Sequence, residues 1–486
     1  MGLGTSTLVP LVAAVGGLWV GHLFASEVPE PYMDELFHIP QAQAYCRGFP
    51  RVGSVPHDPM ITTFPGVYLV SALASALVGM AVGRPMDALG GGCSVGFLRG
   101  VNAVLACIGA CVAYSLVVRR RATCKRLMEK TDADGQKRWI IDDDTRSAID
   151  AALVTTFPLH AFFVWLFYTD TASTVFVLAT WLALLEKRYA LSGVLAGCSI
   201  SMRQTNAVWV ICLVGWDVAD AALGGQRLAT SLGLGAQLVA IVRYLRSNLA
   251  TCVHRYGLHA AAVFAFASFV VWNGGIVIGD RANHVPVHHW VQPFYFYSFL
   301  VLSTGPLWFG RAKRNCLSLR GITLWAALVA LVALALVAVH WGTLVHPFML
   351  ADNRHYTFYL WRRVIGASDW SRYFAAPVYA GCAWLAIFSQ PLDEPVMPAI
   401  KTLMLVICTA AVLIPAHLVE FRYFTIPWYL HVLRPGGPLY DDRGRHATVL
   451  KVITLMGYVA LNTATIYVFL YKSFPWGDGS VARFLW

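Results

Sequence analysis

Pro31-Tyr32-Met33-Asp34-Glu35-Leu36-Phe37-His38-Ile39-Pro40-Gln41 sets two adjacent carboxylates just past the first apolar run of the chain. That run, Leu8 to Phe24, has no Lys or Arg before it. It reads as a retained signal-anchor helix rather than a cleaved leader. An acid pair beside a bilayer is costly unless water solvates it or it has work to do. Asp34 and Glu35 therefore point to a membrane body whose first polar loop carries chemistry.

The composition agrees. Of 486 residues, 57% are hydrophobic and 13% charged, against about 25% charged in soluble domains. Apolar segments long enough to span recur near 4–24, 64–83, 97–118, 150–167, 171–186, 190–216, 257–278, 290–310, 320–341, 374–390, 399–418 and 449–471. The run 424–434 is short and reads as re-entrant, and 226–242 is ambiguous. The expectation is an all-α polytopic membrane protein with about 11 to 14 transmembrane helices, forming one domain over 1–486. The net charge of +11 fits positive-inside loops and contacts with membrane lipids. No basic surface on a soluble domain is present to bind nucleic acid. The 17 Trp and 20 Tyr suit interfacial belts.

Lys and Arg set the orientation. Arg119-Arg120-Arg121-Ala122-Thr123-Cys124-Lys125-Arg126 opens a polar stretch, 119–149, expected in the cytosol. Glu186-Lys187-Arg188 and Arg311-Ala312-Lys313-Arg314 belong on the same side. Counting crossings then puts Tyr168-Thr169-Asp170, Gly279-Asp280-Arg281 and the loop 342–372 on the opposite, lumenal side with Asp34. For this, 64–83 and 97–118 cannot both cross. Segment 64–83, opened by Pro65-Gly66 and ended by Gly79, Gly83 and Pro85, is expected to lie in the interface or re-enter. That leaves 25–96 as one long loop. The 11 cysteines contain no CxxC pair, so a metal framework is unsupported. Cys46 and Cys93 fall in the long loop and are candidates to pair if it faces an oxidising lumen.

Several polar constellations interrupt the apolar runs. Asp58, before Pro59, is biased toward a turn. Asp170 either N-caps a helix from Thr171 or contacts a polar ligand. Arg203-Gln204-Thr205-Asn206 is embedded between apolar stretches, where a guanidinium pairs with a carboxylate or grips a phosphate. Gly274, Gly275 and Gly279 permit close backbone approach, and Asp280–Arg281 reads as a local salt bridge. Ala351-Asp352-Asn353-Arg354-His355-Tyr356, trailed by Arg362-Arg363, is the best cationic candidate for a phosphate group. Glu420 and Arg422 are placed to pair with each other or with these loops. Asp132-Ala133-Asp134 and Asp142-Asp143-Asp144 have metal-like spacing, but Lys137 and Arg138 lie between them, as in a solvated mixed-charge loop. No His-Glu-x-x-His, Gly-rich phosphate loop or Gly-x-Ser-x-Gly occurs.

Six runs taken together resemble a known family. They are Tyr32-Met33-Asp34-Glu35-Leu36-Phe37-His38-Ile39-Pro40-Gln41-Ala42-Gln43, Asp58-Pro59-Met60-Ile61-Thr62-Thr63, Arg203-Gln204-Thr205-Asn206, Gly274-Gly275-Ile276-Val277-Ile278-Gly279-Asp280-Arg281, Ala351-Asp352-Asn353-Arg354-His355-Tyr356-Thr357-Phe358-Tyr359 and Glu420-Phe421-Arg422-Tyr423-Phe424. In this order they resemble the endoplasmic-reticulum alpha-1,2-glucosyltransferases that add the last glucose to the lipid-linked oligosaccharide. The resemblance spans nearly the whole chain; 119–149 and 219–256 match poorly. It implies a GT-C membrane glycosyltransferase with a lumenal site. It implies dolichyl-phosphate-glucose as donor and the diglucosylated, nine-mannose oligosaccharide on dolichyl pyrophosphate as acceptor. A beta-linked donor giving an alpha product means inversion. No cofactor or metal is expected, because phosphate is already a good leaving group.

Inversion in one displacement needs a general base at the acceptor hydroxyl. The resemblance places it in the first lumenal loop, so Asp34 is expected, with Glu35 as the alternative. Arg354 and His355, then Arg203 and Arg281, are the expected cations for the departing phosphate. Asp170, Asp280, His38, Gln41, Asp58, Glu420 and Arg422 are expected to contact the acceptor or orient the arginines. On composition alone two rivals stay open. One is a GT-C transferase for another sugar or acceptor; the other is a non-enzymatic transporter or channel regulator. The polar motifs cluster on one side and no internal repeat is visible, which weighs against a transporter.

Overall fold

The computed structural model describes residues 5–83, 92–128, 143–224, 232–309, 322–388, 397–440 and 446–486. The chain is an all-α polytopic membrane protein. Among the described residues the one sheet pairs β1 (Phe474–Pro475) with β2 (Val481–Ala482), antiparallel. α1 (Thr5–Glu27) precedes the acid pair and α2 (Glu35–Gly48) follows it. α3 (Gly66–Val82) packs along α2, and α4 (Val95–Met128) comes next. Cys46 and Cys93 form a disulfide that fastens the end of α2 to the start of α4.

Among the described residues, five helices are long and apolar enough to cross a membrane: Val95–Thr123, Asn206–Leu223, Leu249–Asn273, Trp325–Gly342 and Ala447–Tyr471. Gly66–Val82, Thr169–Leu185, Tyr189–Met202 and Ala399–Leu413 are apolar but shorter. By this measure the described residues give fewer full-length spans than the sequence suggests, because polar or proline positions break several apolar runs. The run 150–167 divides at Pro158 into α5 (Asp143–Thr155) and α6 (Pro158–Phe163). α7 (Thr169–Leu185) follows. The run 190–216 divides at Arg203-Gln204-Thr205 into α8 (Tyr189–Met202) and α9 (Asn206–Leu223). Irregular backbone at membrane depth is tolerated where protein or a cavity surrounds it, and these breaks supply site residues.

The two ends of the bundle differ in charge. α4 continues past Arg119–Arg121 to Met128, so the basic cluster expected in a loop rides on a helix extension. Asp132, Asp134 and Arg311–Arg314 lie outside the described residues. Arg119 Nη2 meets Glu186 Oε1 at 2.5 Å, which brings the basic clusters of α4 and α7 to one end. Arg99, near the start of α4, binds Glu35 at the other end. The two arginines are separated by about 30 Å along the helix at ~1.5 Å per residue, the thickness of a hydrocarbon core. α7 likewise runs from Asp170 at one end to the Glu186 corner at the other.

The run 424–434 is the helix Thr425–Leu433, buried at all nine positions. Its Trp428 stacks on Phe157, with centroids 3.8 Å apart. The ambiguous 226–242 becomes the helix Leu234–Ser247, which buries Gln237 and Ile241 and exposes Leu238, Val239, Val242 and Leu245.

Candidate active site

Glu35 is completely buried. Its carboxylate accepts Arg99 Nε at 2.9 Å and Nη2 at 2.5 Å, and the backbone N–H groups of Phe167 at 2.6 Å and Tyr32 at 3.0 Å. Arg99 also donates to the carbonyls of Val28 and Glu30. A carboxylate with four hydrogen bonds and no access to a cavity anchors the loop. It has no lone pair to offer a substrate. Removing one partner of such a buried pair costs roughly 3–5 kcal/mol.

Asp34, one residue earlier, sits where the chain enters α2 and turns the other way. It lines a cavity of about 360 Å³, within the range of small-ligand sites. The cavity is walled by Asp34, Phe163, Tyr168, Phe348, Met349, Asp352, Arg354, His355, Glu420, Phe421, Arg422, Trp476, Leu485 and Trp486, among others. Asp34 Oδ2 accepts Arg422 Nη1 at 2.8 Å, and its side chain remains 38% exposed. Burial alone would raise the Asp34 pKa, but Arg422, and after it His38, more than offset this and hold the carboxyl below its usual range. Asp34 is therefore ionised, bonded on one side and open on the other.

Arg422 is the hub. Its Nη2 and Nε reach Glu420 Oε2 at 2.7 and 3.0 Å, and its Nη1 stands 3.7 Å from Asp170 Oδ2. Its guanidinium lies over the rings of Phe163 and Tyr168. Asp170 is buried and accepts Arg203 Nη1 at 2.6 Å. It caps no helix; it lies in the first turn of α7, where a negative charge suits the helix dipole. The N-capping reading is thus corrected. Arg203 serves as the partner of Asp170 and is not among the residues lining the cavity.

Arg354 and His355 line the cavity from the opposite loop. Asp352 takes Arg354 Nε at 2.8 Å and Nη2 at 2.7 Å, and His355 Nε2 lies 3.5 Å from the same carboxylate. Burial lowers the His355 pKa, but Asp352 outweighs it and the imidazole ends above its ordinary value. Its two ring nitrogens face acceptors, the Asp352 carboxylate and the Trp486 main-chain oxygen, an arrangement that favours the imidazolium beside Arg354.

The remaining sequence candidates build the scaffold behind the cavity and do not line it. His38 Nδ1 lies 2.5 Å from Tyr68 Oη. Gln41 donates to the Pro56 carbonyl at 2.9 Å and accepts the Asp58 N–H at 3.0 Å. Asp58 Oδ1 accepts the Met60 N–H at 2.8 Å, the turn expected before Pro59. The segment 278–280 donates its N–H groups to the carbonyls of Thr62, Ile61 and Pro59. A Cβ at Gly279 would fall 2.2 Å from the Pro59 oxygen, so glycine is required there. Asp280 and Arg281 do not pair. Asp280 binds Asn283 and His284, while exposed Arg281 binds Asn273. Their backbone is pinned against Pro59 and sends the two side chains different ways, so the expected local salt bridge is corrected.

Sequence reasoning missed Arg99, which lies inside an apolar run, and Tyr168, whose hydroxyl accepts the Asp34 N–H at 3.3 Å. The membrane rule for embedded charges would have flagged Arg99. It also missed the whole segment 474–486, which carries no charge cluster to draw attention.

An ionised carboxylate and a cationic loop lining one cavity, at one end of a helical membrane body, define a class: a polytopic membrane protein with a polar cavity at one end of its bundle. The chain belongs to the DIE2/ALG10 family, whose model matches residues 28–433. It is 33% identical to the Arabidopsis thaliana protein named Dol-P-Glc:Glc(2)Man(9)GlcNAc(2)-PP-Dol alpha-1,2-glucosyltransferase, over 98% of this chain and 99% of that protein. The Rattus norvegicus and Homo sapiens proteins of the same name are 31% and 32% identical, each over 95% of this chain and 94% of its own length. No solved structure matches the chain.

Proposed function

We propose that the chain transfers glucose from dolichyl-phosphate-glucose to the terminal glucose of the diglucosylated lipid-linked oligosaccharide, forming an alpha-1,2 linkage with inversion. Near-full-length identity to glucosyltransferases of that name supports the reaction. One structural observation carries the mechanism: Asp34 and the Arg354–His355 pair line the same cavity.

The acceptor hydroxyl attacks the anomeric carbon as the carbon–phosphate oxygen bond breaks on the opposite side. Asp34 accepts the hydroxyl proton. Arg354 and His355 meet the charge that grows on the departing dolichyl phosphate, fixed donors in a partly dry site being worth more than in water. Arg422 orients Asp34, and Arg203 orients Asp170. We read the transfer as metal-free: Arg422 already engages Asp34 and Glu420, Asp352 is taken by Arg354, and phosphate needs little further activation.

We place the protein in the endoplasmic-reticulum membrane with the cavity facing the lumen, in a GT-C fold. The basic ends of α4 and α7 stand opposite the cavity, which fits the positive-inside rule. The Cys46–Cys93 disulfide on the cavity side suits an oxidising compartment. α3 exposes Leu69, Leu73, Leu77 and Met80, which suits a helix lying in the interface. The dolichyl tails would run along such apolar faces.

The test supplies the full-length protein with the diglucosylated acceptor and labelled dolichyl-phosphate-glucose or dolichyl-phosphate-mannose. Transfer of glucose alone is expected, and membranes lacking the chain should accumulate glycans with two glucoses rather than three. Transfer of mannose, or normal triglucosylated glycans without the chain, would overturn the reading.

A further inference from the structure

We infer that residues 474–486 form a wall of the active cavity, and that Trp476 within them is a positioning residue for Arg354. The inference rests on the phosphate role proposed for Arg354. The segment lies beyond the stretch matched by the family model, which ends at residue 433.

After the helix Ala447–Tyr471, the chain turns through β1 and β2 and returns over the cavity. Three ties hold it there. The Arg483 N–H donates to Tyr32 Oη at 2.7 Å, and that hydroxyl donates back to the Arg483 carbonyl at 2.9 Å. The Leu485 N–H donates to the Arg354 carbonyl at 2.9 Å. His355 Nδ1 lies 2.7 Å from the Trp486 carbonyl oxygen. Tyr32 belongs to the acid loop and Arg354 and His355 to the cationic loop, so this segment joins the two sides of the reaction.

Within it, the Trp476 ring centroid lies 4.4 Å from Arg354 Cζ, and both residues line the cavity. Arg422 shows the alternative: its N–H groups are shared between Asp34 and Glu420. Arg354 gives one edge of its fork to Asp352 and one face to Trp476. A ring face attracts the cation without consuming an N–H donor. Trp476 therefore holds the guanidinium plane without taking an N–H group, so a phosphate oxygen competes for those groups only with Asp352 and the neighbouring Tyr32 hydroxyl. A second carboxylate would fix it too, but would compete with the anion.

The experiment uses the full-length protein in detergent or liposomes, with initial rates measured against dolichyl-phosphate-glucose at saturating acceptor. Trp476→Ala should raise the donor KM about fivefold, the worth of one cation–π contact, with kcat changed less than about twofold. Trp476→Phe, which keeps a ring face, should restore most of the donor affinity. If Trp476 acts through Arg354, adding Trp476→Ala to Arg354→Ala should change the donor KM little further. An unchanged donor KM in Trp476→Ala, no rescue by phenylalanine, or an undiminished further loss in the double variant would overturn the inference. If Arg354→Ala itself keeps a normal donor KM, the phosphate reading falls as well. An impaired Arg354→Ala beside a normal Trp476→Ala removes the Trp476 role alone.

Discussion

Asp34 Oδ2 and Arg422 Nη1 stand 2.8 Å apart, although 388 positions of sequence separate the two residues. This contact sets apart one member of an acid pair: Asp34 lines the cavity beside Arg422, whereas Glu35 is buried against Arg99. The guanidinium keeps Asp34 ionised and weakly basic. In the proposed transfer, such a carboxylate would take the proton as the acceptor oxygen bonds carbon and becomes acidic.

Asp34→Asn should therefore fold and fail to react. The amide oxygen can still accept from Arg422, so the thermal midpoint of the purified protein should stay close to that of the parent. Removing a general base should cut glucosyl transfer by roughly 10²–10⁴-fold. Near-normal turnover in initial-rate assays would reject Asp34 as the base.

Glu35→Gln and Arg99→Met should act through stability. Each strands a buried partner, at a cost of roughly 3–5 kcal/mol, and should lower the thermal midpoint and the yield of folded protein. A Glu35→Gln protein with an unchanged midpoint and no activity would move the base assignment by one residue.

The Asp352–His355 pair carries a pH signature. Hydrogen bonds from His355 and Arg354 outweigh burial and hold Asp352 well below its usual range, while His355 is raised. The Asp352 contribution to stability is present above its unfolded value of about 3.9 and is lost only as pH falls through the lower folded value. The His355 contribution is complete below about 6.5 and is lost as pH rises through its raised folded value. The donor KM should accordingly rise as pH climbs above the ordinary histidine value and through the raised one. His355→Gln should flatten that limb while raising the donor KM at lower pH, as a pH series of donor titrations would show.

The disulfide should matter to the first loop as a whole. Cys46 and Cys93 close a span with a sequence separation of 47, worth about 4 kcal/mol in the chain-entropy account. Cys46→Ser and Cys93→Ser should each lower the thermal midpoint, and the double variant should match either single one. Additive losses would mean that the thiols contribute separately.

By itself the sequence determined the class of protein, the acid pair at the start of α2, the cationic loop around Arg354 and the family. Those features are local: apolar runs, adjacent charges and short motifs keep their meaning wherever the chain goes. Tertiary structure decided which acid faces the cavity. Asp34 and Glu35 share every local signal, but successive positions at a helix start point in different directions. One meets Arg422 at the cavity and the other meets Arg99 in the interior. Tertiary packing likewise left Arg281 outside the cavity lining, gave Arg203 to Asp170, and brought 474–486 over Arg354 although that segment has no motif of its own. A side chain's environment is set by whatever folds against it, and those contacts lie from tens to hundreds of positions away in the chain.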